Sequence, residues 1–330
     1  MVNSLVSIVV PAYNAQKTLG STLKAILSQT YSDSIEIIVV DDGSTDQTTD
    51  LVKSFENIVY IYQKNAGPAT ARNRGFSIAK GDFVFFTDSD CIPHVDWIQK
   101  SMDHFSDISI GVVCGSYGIA NPKNLLARCI HKEILFRHKT LMPDFPKSFG
   151  SYNFCVRKNI FEAAGGFDSQ YRSPSGEDNN LSYKILNLGS KIYFERRSIV
   201  DHFFPVSFKK YFLEQFRHGF WRVKVYISHP LMARGDDYTF WKDIAEPGLV
   251  FSFLMATLLS IVGFPVFSGA ILLLLLLLAI ELFYGFLMTK NVPEGIFLSG
   301  IMFIRSFYRS LGFAYGITRF FLPKLFKKNQ

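Results

Sequence analysis

In Ile35-Glu36-Ile37-Ile38-Val39-Val40-Asp41-Asp42-Gly43-Ser44-Thr45-Asp46 (residues 35–46), an apolar run ends in two adjacent carboxylates and a glycine turn. Apart from Glu36 the run shows no alternation, which is the pattern of a strand buried on both faces of a parallel sheet. The flanking sequence repeats the theme. Strand-like Leu5–Val10 leads into helical Leu19–Gln29, Ile35–Val40 into Asp46–Phe55, Val59–Gln63 into Pro68–Ala79, and Phe83–Thr87 into His94–Phe105. Such alternation implies βαβ units, and hence an α/β domain built on a mainly parallel, Rossmann-like sheet. Pro68 sits where a first-turn proline would, Gly81 where a C-terminal cap would, and Ser44 where a helix N-cap would.

The 330 residues suffice for one large domain or two. Aromatic residues make up 15%, with 33 Phe, which invites a search for membrane segments. The net charge of +7 is compatible with nucleic acid, anionic lipid or phosphorylated substrates. Cys91, Cys114, Cys129 and Cys155 have no disulfide or zinc spacing, so a reducing, cytosolic setting is expected. Leu5–Val10 lacks a basic leader and a cleavage site and reads as a strand, not a signal peptide. Between Gly115 and Phe149, the residues Arg128, His131, Lys132, Arg137, His138 and Lys139 read as a solvated basic helix, with an acceptor-facing or headgroup-facing surface as the sharper alternative.

After Pro247 the composition changes. Gly248–Phe264 and Ala270–Met288 are nearly uninterrupted apolar runs around a break at Pro265, Ser268 and Gly269, and each approaches the ~17–25 residues that cross a bilayer. They read as a transmembrane hairpin, with Glu281 facing a partner or polar cavity. Gly295–Ile317 carries Arg305 and Arg309 one turn apart, natural for a helix lying in the interface. Lys324, Lys327 and Lys328 then place the chain end, with the N-terminal domain, in the cytosol.

Ligands of an open parallel sheet bind beyond the carboxyl ends of its strands. Pro11-Ala12-Tyr13-Asn14 follows the first strand without the GxGxxG of a dinucleotide fold, which disfavours a dehydrogenase. Asp42 follows the second; an ionised carboxylate accepts the N–H of a pyrimidine, and Tyr13 offers a stacking face. Asp88 and Asp90 follow the fourth, on the same side of extended backbone, where they can converge on a divalent cation such as Mn²⁺ or Mg²⁺.

Pro11-Ala12-Tyr13-Asn14, Val40-Asp41-Asp42-Gly43-Ser44, Asn65-Ala66-Gly67 with Ala71-Arg72-Asn73-Arg74-Gly75, Asp88-Ser89-Asp90, Gly165-Gly166-Phe167-Asp168 and Gly176-Glu177-Asp178 together resemble the family 2 glycosyltransferases of GT-A fold, over nearly two thirds of the chain. The resemblance implies an inverting enzyme. Pro11, Tyr13, Asp42, Arg72 and Asp88 would bind the donor, with Tyr13 and Asp42 at its base; Asp90, Asp88 and His202 would hold the metal; Asp178 would be the catalytic base, with Glu177 and Asn153 on the acceptor side. Gln215-Phe216-Arg217-His218-Gly219 resembles the diphosphate-gating region, where Arg217 and Arg222 could clamp phosphate, but His218 and Gly219 depart from the QxxRW of processive synthases. A basic interfacial helix is the alternative there.

The expected protein is therefore membrane-anchored: residues 1–225 a cytosolic GT-A domain, 226–246 a connector, 247–289 the hairpin, and 290–330 an interfacial helix and basic tail. It would move one sugar from a nucleotide-sugar, uridine-linked given Asp42, to a lipid-linked or glycan acceptor, the hairpin concentrating enzyme and acceptor in one plane. Transfer onto polyprenyl phosphate itself, or an inactive membrane scaffold, are the rivals. Nucleic acid is not an expected partner, since much of the charge lies beside membrane segments.

Overall fold

The computed structural model describes residues 5–173, 175–230 and 237–323; the basic tail with Lys324, Lys327 and Lys328 lies outside them. The elements in order are β1 Val6–Ala12, α1 Leu19–Leu27, β2 Ile35–Asp41, α2 Thr48–Lys53, β3 Ile58–Tyr62, α3 Pro68–Ile78, β4 Phe83–Thr87, β5 Cys91–Pro93, α4 Trp97–Met102 and β6 Ile110–Ile119. Then follow α5 Leu125–Thr140, β7 Asn153–Arg157, α6 Lys158–Ala163, α7 Glu177–Asn187, β8 Lys191–His202, α8 Phe208–Ser228, α9 Trp241–Ile261, α10 Phe267–Met288 and α11 Val292–Gly316. Contacts divide the chain into two compact units, residues 1–121 with 142–203, and residues 122–141 with 204–330.

The first unit is an eight-stranded sheet in the order β3-β2-β1-β4-β7-β6-β8-β5. Its β3-β2-β1-β4 half is parallel, each strand reached through a helix. Beyond β4 the sheet is mixed: β7 runs antiparallel to β4 and β6, β8 is parallel to β6, and β5 is antiparallel to β8. β1 is buried along its whole length, and Val6, Ile8 and Val10 meet Leu19, Leu23 and Ile26 of α1 in the core. Two expected caps turn out differently. Gly81 lies beyond the end of α3; a Cβ there would sit 2.6 Å from the Leu5 carbonyl, so the glycine permits close approach to β1, and its N–H donates to Ser7 Oγ at 2.9 Å. Ser44 Oγ accepts the Asn14 N–H at 2.9 Å and so ties the first strand end to the second, while α2 starts later.

The second unit is helical, and α9 and α10, at 21 and 22 residues, are long and apolar enough to cross a bilayer. Glu281 faces a partner: Lys242 Nζ lies 3.0 Å from it and 2.6 Å from Glu246, all buried. α5 is not the solvated helix its charges suggest. Arg137 is buried between Glu133 and Asp243, at 2.8 and 2.7 Å, and Arg128 and Lys132 both pair with Glu294. Arg305 is likewise buried on Glu133 at 2.6 Å, so this arginine of the expected interfacial helix meets a carboxylate inside the protein instead of a headgroup. Groups of opposite sign neutralise one another here because a lone buried charge would cost several kcal/mol (roughly) in desolvation. α8 and α11 touch backbone to backbone: a Cβ on Gly219 would stand 2.0 Å from the Arg309 carbonyl, and one on Gly312 2.0 Å from that of Phe216.

Candidate active site

The end of β2 carries two carboxylates with separate duties. Asp41 turns inward, accepting from the Ser44 N–H at 2.8 Å, Thr49 Oγ1 at 3.0 Å and the Tyr60 hydroxyl at 2.9 Å. Asp42 collects the loop that precedes α3: Gln63 Nε2, Ala66 N–H and Gly67 N–H donate to it at 2.7, 2.8 and 2.9 Å. A carboxylate offers about four acceptor positions, so one is left for a ligand on this 4% exposed residue. Pro11 is buried at the end of β1, and Tyr13 beside it is 53% exposed, a free-standing aromatic face at the rim.

α3 joins the site together. Its Arg72 is 2% exposed and reaches two carboxylates from distant parts of the chain, donating from Nη2 to Asp88 Oδ1 at 2.7 Å and from Nη1 to Glu177 Oε1 at 3.1 Å. The Arg72 guanidinium also lies over the Phe167 ring, 5.4 Å from its centroid. The next residue, Asn73, clasps Phe167 by both amide atoms, donating to its carbonyl at 2.8 Å and accepting its N–H at 2.9 Å. Gly75 then faces β1, where a Cβ would sit 2.4 Å from Val9 Cγ1. The string Ala71-Arg72-Asn73-Arg74-Gly75 thus has a physical reading: a charged tie, a clasp for the Gly165-Gly166-Phe167 turn, and a flat contact with the sheet.

The second convergence comes from strand pairing. β5 and β8 run antiparallel with Cys91 opposite His202, which brings Asp90 Oδ1 to 3.4 Å from His202 Nε2. With Cys91 Sγ these ligand atoms lie within 4.8 Å of one another. Burial, reinforced by the charges of Asp90 and Asp88, pushes the Cys91 thiol well above its ordinary pKa, and sulfur is a soft donor that suits a hard cation poorly. The remaining donor set is one carboxylate and one imidazole, with Asp88 two residues away, held by Arg72. That set fits an ion that takes most of its shell from water and a diphosphate.

Asp178 is the second residue of α7 and its Oδ1 accepts the Asn179 N–H at 2.8 Å. The helix dipole at this position favours the ionised form. Burial and the adjacent Glu177 charge prevail, pushing the Asp178 carboxyl up to about 7. A carboxylate poised near neutrality is matched to taking a proton from a hydroxyl.

Comparison with known proteins now decides the family. Residues 7–163 match the model of glycosyl transferase family 2. A probable glycosyltransferase of Bacillus subtilis, YdaM, is 30% identical over 73% of this chain, and glycosyltransferase AglE of Haloferax volcanii is 27% identical over 69%. The chain carries a glycosyl transferase family 2 domain over residues 7–163. It spans 57% of the length of the Bacillus protein and 76% of the Haloferax one. Among solved structures it is similar to a mannosyltransferase from Pyrobaculum calidifontis in complex with GDP-Man and Mn²⁺, with TM-score 0.61 and 18% identity over 94% of this chain and 88% of that one, which supports the GT-A fold.

Two expected acceptor-side residues have other occupations. Asn153 is 1% exposed; its Oδ1 accepts from Trp97 Nε1 at 2.7 Å and its Nδ2 donates to the carbonyls of Ser116 and Ser198 at 3.1 and 3.0 Å. It ties α4, β6 and β8 together from inside the domain. Glu177 is 2% exposed, with Oε1 on Arg72 and Oε2 accepting the Ser175 N–H at 2.7 Å, so it positions Arg72 and the start of α7. Arg217 and Arg222 lie on α8 in the second unit, Arg217 exposed and Arg222 5.9 Å over the Tyr226 ring. The departure from QxxRW acquires a reason in that unit: Gly219 is where the backbones of α8 and α11 meet, and Gln215 Oε1 accepts from Arg309 Nε at 2.9 Å.

Proposed function

We propose that this protein is an inverting glycosyltransferase that moves a single sugar from a nucleoside-diphosphate donor, UDP-linked, to a polyprenyl-linked glycan acceptor at the cytosolic face of a membrane. The observation that carries the reading is Arg72, which links Asp88 at the nucleotide end to Glu177, the residue before Asp178. This tie supports a reading in which donor and catalytic carboxylate lie around one buried guanidinium. The exposed ring of Tyr13 offers a stacking face for the nucleobase, and the last acceptor position of Asp42 is available for its N–H. The Pyrobaculum enzyme, solved with a nucleotide-sugar and Mn²⁺, supports the same ligand classes here.

Asp178 removes the proton of the acceptor hydroxyl as the oxygen attacks the anomeric carbon from the face opposite the diphosphate. The C–O bond to the nucleoside diphosphate breaks in the same displacement, so configuration inverts. General-base help of this kind contributes roughly 10²–10⁴ in rate. Asp90 and His202, with Asp88 alongside, would hold a divalent cation, Mn²⁺ or Mg²⁺, which would supply positive charge against the departing diphosphate. Arg72 holds Asp88 in place and offsets negative charge at the buried end of the site.

α9 and α10 supply the reason for a lipid-borne acceptor. A hairpin that crosses twice returns the chain to its starting side and keeps the enzyme in the plane of its acceptor. The test is transfer of radiolabelled sugar from a panel of nucleotide-sugars into a lipid extract containing polyprenyl-linked glycans, with the product's anomeric configuration read by NMR. Inverted product that needs the glycan-bearing lipid supports the proposal; transfer only to a soluble acceptor, or retained configuration, refutes it.

A further inference from the structure

Residues 149–152, just before β7, touch both ends of the site. The Phe149 N–H donates to Ser182 Oγ at 3.1 Å, and that hydroxyl donates to the Asp178 carbonyl at 2.7 Å. The Ser151 N–H faces the Asp178 carboxylate and favours its ionised form. One residue on, the Tyr152 ring lies flat on Tyr117, with centroids 3.4 Å apart and planes 12° from parallel, and its hydroxyl donates to the Gly115 carbonyl at 3.1 Å. Tyr117 in turn stands against the imidazole of His202, 5.3 Å between centroids. In the β6–β8 register Tyr117 pairs with Val200, so His202 is its diagonal neighbour on the same face of the sheet. Gly150 makes room for this arrangement, because a Cβ there would lie 2.3 Å from Tyr152 Cε1.

We propose that Tyr117 and Tyr152 are positioning residues that hold His202 toward the cation and, through the neighbouring Ser151, keep Asp178 in register with it. This rests on the cation site proposed above. An imidazole on a strand end is free to rotate unless something packs on its ring; here the packing comes from Tyr117, which is itself held from behind by Tyr152. Groups of this kind, one step removed from a metal, typically change its affinity by about 10–100-fold when lost. The same backbone segment then carries the consequence to the catalytic carboxylate, since residues 151 and 152 cannot shift independently.

The test is Mn²⁺ binding to the full-length protein in the presence of UDP, followed by the electron paramagnetic resonance signal of free Mn²⁺, for wild type, His202→Ala, Tyr117→Phe, Tyr117→Leu and Tyr152→Leu. The expected result is a roughly tenfold or greater loss of affinity in both leucine variants, with Tyr117→Phe within about twofold of wild type. Tyr152→Leu should also lower kcat at saturating Mn²⁺, because it disturbs Asp178. Should a leucine variant fail to fold, Tyr117→His keeps a smaller aromatic face and should bind Mn²⁺ more weakly than wild type. Affinity lost in His202→Ala but unchanged in the Tyr117 and Tyr152 variants overturns the proposal and leaves the cation site standing. Equal affinity in wild type and His202→Ala overturns the cation site, and the proposal with it.

Discussion

Replacing Arg72 by methionine removes a buried cation while keeping most of its volume. Glu177, 2% exposed, would then be a buried carboxylate whose remaining recorded donor is the Ser175 N–H at 2.7 Å. Asp88 would lose its 2.7 Å partner as well, but it is partly open to water. Breaking a buried pair from one side costs about 3–5 kcal/mol. For a unit of 150–250 residues, roughly 2–4 °C of melting temperature accompany each kcal/mol, so Arg72→Met should melt about 6–20 °C below wild type. The double variant Arg72→Met with Glu177→Gln removes the stranded charge and should recover part of that loss. Thermal unfolding of the four proteins of the cycle in detergent measures it. A single variant that melts with wild type, or a double variant no better than the single, would show that Arg72 does not tie the two ends of the site.

On the proposed mechanism activity should rise with pH, because the ionised form of Asp178 would act as the base and its carboxyl is pushed up to about 7; kcat/KM is expected to climb through that pH and level off above it, with Glu177→Gln moving the limb lower. Asp178→Asn should cost at least about a hundredfold in kcat. It should also raise the melting temperature at pH 8: a carboxyl whose folded pKa lies above its unfolded value favours the fold fully only below the unfolded pKa, and loses that advantage as pH climbs through 7, whereas asparagine does not ionise. Asn153→Ala should lower the melting temperature, since three buried hydrogen bonds go, yet leave KM for the acceptor unchanged in the folded fraction. Gly219→Leu places a side chain where a Cβ already meets the Arg309 carbonyl at 2.0 Å, and overpacking of this kind costs roughly 1–3 kcal/mol or more, seen as a lower yield of folded protein in detergent.

The parallel half of the sheet was legible because each strand is a run of buried residues and each crossover has helical period. Expected and observed spans differ by a few residues at the ends, as with Leu5–Val10 against Val6–Ala12. The mixed half beyond β4 was less so, since Asn153–Arg157 and Cys91–Pro93 are too short to show a period. The proposed metal donors were individually visible, but the meeting of Asp90 with His202 is fixed by the β5–β8 register, which links residues more than a hundred positions apart. Glu177 and Asn153 were assigned outward roles because polar type says nothing of burial; Trp97 and Arg72, the groups that consume them, are remote in sequence. The same blindness applied to α5, whose Arg128, Lys132 and Arg137 look solvated until Glu294 and Asp243 arrive from elsewhere and Glu133, one turn back on the same helix, is seen to be buried with Arg137.

The central claim is that carboxylates from separate crossovers act on one nucleotide-sugar. It is tested most directly by release of nucleoside diphosphate from UDP-sugars, measured for wild type, Asp90→Asn and Asp178→Asn with Mn²⁺ and with a chelator. Release by wild type that requires the ion, and that falls at least about a hundredfold in each variant, is the predicted result. Release that persists in chelator, or that survives in both variants, would contradict it.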